Sequence, residues 1–264
     1  MPSVSNIAVG ALVAGAAASK ARHGMNESIA RLSTGMRSLY GGDAAGQSVA
    51  NTLQARSKSW AIAARNAEDG ISAAQTAESA LLEIAALAQR LRELGIQADN
   101  AALLTDASDE AAMNAEAEAL YDAIDAIVSK ATFNGVSLLG TSAVTLNIGV
   151  TDDGGTVALK TSDAIASVAT YAKATAADVT ADATLQDVAI SLGHVAAGIA
   201  ALKGRQAVAY AASANLAAAA SRVEDTDFAK ETANLAKNSV LNQSAMAMVA
   251  QANQAQSSIL AVLQ

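Results

Sequence analysis

Cysteine is absent from the 264-residue chain, which rules out disulfides, thiolate nucleophiles and cysteine-ligated metals. Its absence fits a protein that works outside the cell without oxidative folding. Proline occurs once, at Pro2, so no later helix meets a residue that lacks an amide hydrogen and clashes with the preceding turn. Aromatic side chains make up only 3% of residues, although 52% are hydrophobic. The apolar content is therefore mostly alanine, the best helix former but one that buries little area. Such a chain suits long helices lying close together rather than a thick globular core. Basic residues number 17 against 25 acidic ones, for a net charge of −8, and no block of lysine and arginine stands out. No nucleic-acid partner is expected, because its affinity would rest on phosphate neutralisation.

The apolar run Ile7–Ala18 is far short of the ~20 residues that a membrane-spanning helix needs. A secretory leader also carries positive charge before its apolar segment, whereas Lys20 and Arg22 follow this one. The run is read as one face of an amphipathic helix, with neither a cleaved signal nor membrane insertion expected.

Catalytic chemistry is missing as well. The two histidines, His23 and His194, have no second histidine at ligand spacing, so no zinc-protease pair exists and both are read as surface or packing residues. Gly41-Gly42-Asp43-Ala44-Ala45-Gly46-Gln47-Ser48 matches a phosphate-binding loop except that Gln47 stands where the lysine belongs, and no apolar strand precedes it. It reads instead as a turn between two helices. Glu78, Glu83, Glu93 and Glu116 are spaced as solvated helix faces, not as a catalytic pair. No cofactor, metal or catalytic residue is expected.

What is present is heptad patterning. Leu185, Val188, Leu192, Val195, Ile199 and Leu202 follow 3,4 spacing, and Gln206, Ala209, Ser213, Leu216, Ala220 and Val223 continue it. This is the a/d seam of left-handed helix packing. At ~1.5 Å per residue it makes a rod of roughly 58 Å, which cannot bury its seam alone. Trp60, Ala64, Ala67, Ile71, Ala74, Leu81, Ala85 and Ala88, extended by Leu91 and Leu94, supply a second rod. Met113, Ala117, Leu120, Ile124, Ile127 and Ala131 supply a third, with Ser108, Asp109 and Glu110 as its start and Gly95–Ala107 as the linker before it. In the centre, Val144, Leu146, Ile148 and Val150 alternate with polar or small residues, the period of a half-buried strand. The turn signal Asp152-Asp153-Gly154-Gly155 follows, and Val157 and Leu159 resume the alternation, predicting a β-hairpin over about 143–161. Residues 162–183 read as a second small hairpin or an ordered loop.

Residues 7–36 and 229–263 are alanine-rich and helical in pattern; Ala245, Val249, Ala252, Gln256, Ile259 and Leu263 keep 3,4 spacing. Neither end has enough large apolar residues to stand as an isolated helix. Their expected partners are each other and the same segments of neighbouring molecules, so they are expected to be disordered in the monomer and helical on assembly. The fold class expected is mainly α: a long antiparallel helical bundle with terminal coiled-coil helices and a small central β-hairpin region.

Several runs stand out. At the N-terminal side these are Ile29-Ala30-Arg31-Leu32-Ser33-Thr34-Gly35-Met36-Arg37, Gly42-Asp43-Ala44-Ala45-Gly46-Gln47-Ser48-Val49-Ala50-Asn51, the run from Ala64 to Glu78, Gln89–Leu94 and Phe133-Asn134-Gly135-Val136. At the other end are Ser221-Arg222-Val223-Glu224-Asp225-Thr226-Asp227-Phe228-Ala229 and Ala250-Gln251-Ala252-Asn253-Gln254. The two sets resemble the N-terminal and C-terminal signatures of bacterial flagellins. One departure is the single Asp43 after Gly42, where the family usually has two acids; the other is the unusually small, alanine-rich first 25 residues.

The resemblance implies a non-enzymatic filament subunit with a terminal-helix filament-core domain (residues 1–40 plus 228–264). It also implies a helical bundle domain (41–133 plus 184–227) with a β-hairpin-containing insert (134–183), and a minimal filament without large outer domains. It implies an extracellular homopolymer for swimming motility, secreted without a cleaved signal peptide. The partners it implies are other copies of the chain, a flagellar export chaperone, and the filament cap and hook-junction proteins. The residues expected to carry packing and assembly are Leu185, Val188, Leu192, Val195, Ile199, Leu202, Leu216, Val223, Val249, Ile259 and Leu263. In related flagellins a host receptor, Toll-like receptor 5, contacts the stretch matched here by Arg90 and Leu94, with Glu116 a looser match. Two rival readings are a hook–filament junction protein and, from another class, a secreted enzyme on a helical scaffold.

Overall fold

The computed structural model describes residues 2–37, 42–100, 107–165 and 174–263. Five helices carry most of it: α1 (Pro2–Thr34), α2 (Ala44–Ala98), α3 (Ala107–Lys130), α4 (Ala177–Glu224) and α5 (Phe228–Leu263). Among the described residues between α3 and α4 lie two antiparallel hairpins, β1 (Thr132–Phe133) with β2 (Val136–Ser137) and β3 (Val144–Gly149) with β4 (Thr156–Ser162), and a 3-10 turn, Ala174–Ala176. The chain divides into two compact units, Arg56–Asn215 and Met1–Ala55 with Leu216–Gln264.

Arg56–Asn215 is the bundle. Its segments of α2 and α4 run antiparallel, as three cross-links in opposite sequence order show. Ser57 Oγ donates to Ser213 O at 2.9 Å, Gln206 Nε2 to Glu68 Oε1 at 2.8 Å, and Arg92 Nε to Asp182 Oδ1 at 2.7 Å. The α4 seam faces inward: Val188, Val195 and Leu202 are buried, and Leu185, Leu192 and Ile199 half-buried. All but Leu185 meet Ala74, Leu81 and Ile84 of α2 and Ile124 and Val128 of α3 in one apolar core. A second core, around Leu91, Leu94, Met113, Ala117 and Tyr121, closes against Ala177 and Ala181.

The predicted central hairpin is present, with Leu146 opposite Leu159 and Ile148 opposite Val157. Leu159 and Val150 enter the first core. Gly198 of α4 lets β4 come close, since a Cβ there would run into Leu159 Cδ1. The turn is held by the Val150 amide donating to Gly155 O at 2.9 Å and the Gly155 amide donating to Thr151 Oγ1 at 2.6 Å.

Three boundaries differ from the sequence reading. Gly95 is not the start of a linker but lies buried inside α2, where the backbone of Asp178 approaches so closely that no side chain would fit. The C-terminal part of 162–183 is helical, because α4 begins at Ala177, while residues 166–173 fall outside the described residues. The second small hairpin lies earlier, at β1–β2, around Asn134 and Gly135, whose φ angles of 50° and 79° suit a two-residue hairpin loop. The expected α2–α3 linker falls partly on residues 101–106, which also lie outside the described residues.

Candidate functional site

The second unit holds the paired chain ends. Helices α1 and α5 pack against each other along small residues, with Ala18, Ala21 and Ser28 of α1 and Ala245 of α5 buried. At Gly24 the approach is closer still: a Cβ would lie 2.6 Å from Asn238 Nδ2. Large apolar side chains point the other way. Leu12 is 77% exposed and Val13 63%, and Val9, Val240, Leu241, Met246 and Met248 are also exposed. A groove of ≈ 520 Å³ runs over Gly10, Ala14 and Ala17, rimmed by Val9, Val13, Leu241 and Met248. Among the described residues, polar links across the pair are few: Arg22 Nη2 donates to Met246 Sδ at 3.4 Å, and Arg31 lies 3.7 Å from the buried Glu231. A helix pair with its small residues inside and its large ones outside has apolar area left to share, of the kind that marks an interaction surface.

Below this pair the ends of four helices meet in a joint. Helix α1 stops at Gly35, whose φ of 73° places it in the left-handed region and whose amide donates to Arg31 O at 2.8 Å. The turn after it is strapped to the α4–α5 turn: the Arg37 amide donates to Glu224 O at 2.7 Å and the Thr226 amide to Gly35 O at 2.8 Å. The Arg37 guanidinium then reaches the last turn of α4, donating to Val223 O from Nε at 3.2 Å and Nη2 at 3.1 Å, a cation at the negative end of a helix dipole.

Arg37 Nη2 also donates to Asp43 Oδ2 at 2.6 Å, while Asp43 Oδ1 caps α2 by accepting from the Gly46 amide at 2.8 Å. These two partners, the Gly46 amide first and Arg37 second, hold the Asp43 carboxyl below the usual carboxylate range. Gln54 Nε2 donates to the buried Glu224 at 2.5 Å. Asp227 caps α5 by accepting from the Ala229 and Lys230 amides at 3.0 and 3.1 Å. The run read in the sequence as a failed phosphate loop is thus the cap of α2, with Gly41 outside the described residues.

Of the remaining residues singled out in the sequence, Leu216, Val223 and Val249 are half-buried, and the side chains of Ile259 and Leu263 lie outside the described ones. Arg90 and Glu116 meet on the surface, Arg90 Nη2 donating to Glu116 Oε1 at 2.7 Å with Glu93 at 3.1 Å on its other side. Leu94 does not join them: it is 1% exposed inside the second core of the bundle. A receptor could touch Arg90 and Glu116 but not the Leu94 side chain, because helix periodicity turns that position inward.

Among the described residues, no group of three or more His, Asp or Glu side chains is placed to hold a metal. The apolar stretch of α4 is long enough to cross a membrane by length and composition alone; its Val188, Val195 and Leu202 instead fill the core of the bundle.

Residues 6–144 match the family model of the bacterial flagellin N-terminal helical region, and residues 180–263 that of the C-terminal helical region. The chain belongs to the bacterial flagellins. It is 33% identical over 275 residues to the flagellin of Bacillus subtilis, covering 88% of this chain and 90% of that protein. It is also 33% identical over 265 residues to the flagellar filament 33 kDa core protein of Treponema phagedenis, covering 90% and 92%. A crystal structure of Bacillus cereus flagellin aligns with a TM-score of 0.40 at 26% identity, over 58% of this chain and 88% of that one. This flagellin is a structural subunit that self-assembles into the extracellular filament of the bacterial flagellum. The joint is assembled from the family's signature runs: the one ending at Arg37, the one starting at Gly42 and the one starting at Ser221.

Proposed function

We propose that the α1–α5 pair is the surface through which subunits join, and that the joint at Arg37 ties the end of α1 to the last turn of α4 and the first turn of α2. The observation that carries this reading is the inverted packing of the pair, with alanine and glycine inside and Leu12, Val13, Val240 and Met248 outside. Val249 belongs to this surface, and Ile259 and Leu263 are proposed as assembly residues on their heptad spacing alone. Leu185, Val188, Leu192, Val195, Ile199, Leu202, Leu216 and Val223 serve instead as the seam within each subunit. The filament-core domain is then residues 1–40 with 228–264, the bundle domain 41–133 with 184–227, and the hairpin insert 134–183.

Export without removal of α1 is part of the same proposal, because cleavage inside α1 would strip α5 of its partner. The chaperone needed before assembly, the filament cap and the hook-junction proteins are proposed to meet the α1 and α5 surfaces, which expose apolar area until subunits cover it. No enzymatic role is proposed: Arg37, Asp43 and Asp227 at the joint bond the ends of helices. Recognition by Toll-like receptor 5 would use Arg90 and Glu116; unchanged receptor signalling by a secreted Arg90→Ala filament would count against it.

The deciding experiment removes residues 230–264 and adds the product to flagellar seeds. A soluble monomer that leaves seeds unextended, with the bundle's helical signal intact, supports the reading. Elongation by the truncated chain would overturn it.

A further inference from the structure

A cluster of titratable groups in the bundle, independent of the subunit-joining reading, sits where β4 meets α4. Lys160 Nζ lies 3.0 Å from Asp163 Oδ2 and 3.3 Å from His194 Nε2, and His194 Nε2 lies 3.7 Å from the same Asp163 oxygen. Asp163 is anchored to α4 through its own backbone, its amide donating to Ser191 Oγ at 2.9 Å. We propose that Lys160, Asp163 and His194 form a protonation-gated latch, in which Lys160 ties β4 to α4 while His194 is neutral and His194 replaces it on Asp163 once protonated.

The argument is one of donors and acceptors. A lysine ammonium only donates, so it can bond His194 Nε2 only while that nitrogen keeps its lone pair. Protonation puts a hydrogen there and leaves two cations 3.3 Å apart competing for one carboxylate oxygen. The other oxygen, Oδ1, already accepts from the Ala164 amide at 3.2 Å. Lys160 is the cation free to leave, half-exposed on a flexible stem, whereas the His194 ring is fixed to a helix.

Among the described residues, the charged groups around His194 come from few sources. β4 and the residues after it contribute Lys160 and Asp163; α4 contributes Asp187 two turns earlier. The faces of α2 and α3 that pack on this stretch are apolar, Ala77, Leu81 and Ile84 from one and Ile124 and Val128 from the other. Lys160 holds the Asp163 carboxyl below its usual range, so the anion persists throughout the interval in which histidine changes charge, about pH 5 to 8. The tether also sits beside an irregularity of the hairpin: Lys160 pairs with Thr145, next to the register shift between Val144 and Thr145.

The test uses the full-length monomer and NMR. Between pH 8 and pH 5 the Lys160 side-chain signals should shift with the same midpoint as the His194 ring. The hydrogen-exchange protection of the β4 amides near Lys160 should fall about two- to fivefold, the scale that a half-exposed charge pair sustains. In His194→Gln, whose amide still accepts from lysine but does not titrate, both responses should vanish. Lys160→Met should leave the His194 titration in place and abolish the change in protection. Stationary Lys160 signals through the histidine titration, or an unchanged response in His194→Gln, would overturn the proposal.

Discussion

Replacing Gly198 by alanine sets two effects of known sign against each other. In a helix interior, Gly→Ala gains about 0.8–1.0 kcal/mol from propensity and reduced unfolded-state freedom. At Gly198 the new methyl would meet Leu159 Cδ1, and Leu159 is fully buried, so that side chain must leave its rotamer inside a packed core. Overpacking of this kind costs about 1–3 kcal/mol. The net expectation is a change between neutral and about 2 kcal/mol destabilising. The same helix supplies its own controls: a Cβ at Gly193 or Gly204 meets nothing within 4 Å, so Gly193→Ala and Gly204→Ala should realise the propensity gain undiminished. Thermal unfolding of the monomer, followed by circular dichroism, reads the comparison as a ranking of midpoints. Both controls should lie above wild type by about 2–4 °C, with Gly198→Ala at or below it. If Gly198→Ala stabilised as much as its neighbours, the close seating of β4 on α4 would be refuted.

Three more outcomes are expected. Leu12→Asp should change monomer stability by no more than about 0.5 kcal/mol, because the side chain is already in solvent, yet abolish elongation of seeds; electron microscopy that found long filaments would contradict the inverted-pair argument. Acidification should loosen the joint. The folded-state pKa of Asp43 is depressed, so its contribution is present above the ordinary value of 3.8 and is lost as pH falls through the lower folded value. Protection of the Gly46 amide should drop below about pH 4 in wild type but not in Asp43→Asn, which keeps an oxygen for the cap; equal acid sensitivity of the two proteins would count against Asp43. Removing Arg37 as Arg37→Met should leave the bundle's core intact while raising hydrogen exchange at the end of α4 and the start of α2 together. An effect on only one of the two would mean that Arg37 does not couple them.

The features readable in the sequence were those with a local period. The α4 seam repeats every 3.5 residues and appears as alternating buried and half-buried positions from Leu185 to Leu202. The central hairpin was legible because β3 and β4 are long enough to alternate and Asp153-Gly154 closes them. The β1–β2 hairpin escaped because its strands have two residues each, too few for any period; its one usable signal was Asn134-Gly135. Gly95 was misread as a breaker, since sequence alone does not distinguish a glycine that ends a helix from one that lets another backbone come close. The joint was invisible as a site for another reason. Arg37 and Val223 are 186 positions apart in the chain, and a contact between a guanidinium and a helix-end carbonyl leaves no mark on either neighbourhood.

The paired ends show most clearly why periodicity fails where assembly begins. Periodic patterning assumes that large apolar side chains face the partner within the same chain. In α1 and α5 the intramolecular contact is made by Ala18, Ala21, Gly24 and Ala245, while Leu12, Val13 and Val240 face outward. Small residues permit a close backbone approach but contribute little transfer energy, about 25 cal/mol per Å² of a small area. The pair therefore gains little by forming alone and more when its outer side chains are covered by other copies. On the proposed reading, that ordering of energies suits a subunit that becomes rigid only in the filament. The same reading accounts for the weak amphipathicity of the two ends in sequence, with Leu12, Val13 and Val240 left for a neighbouring molecule.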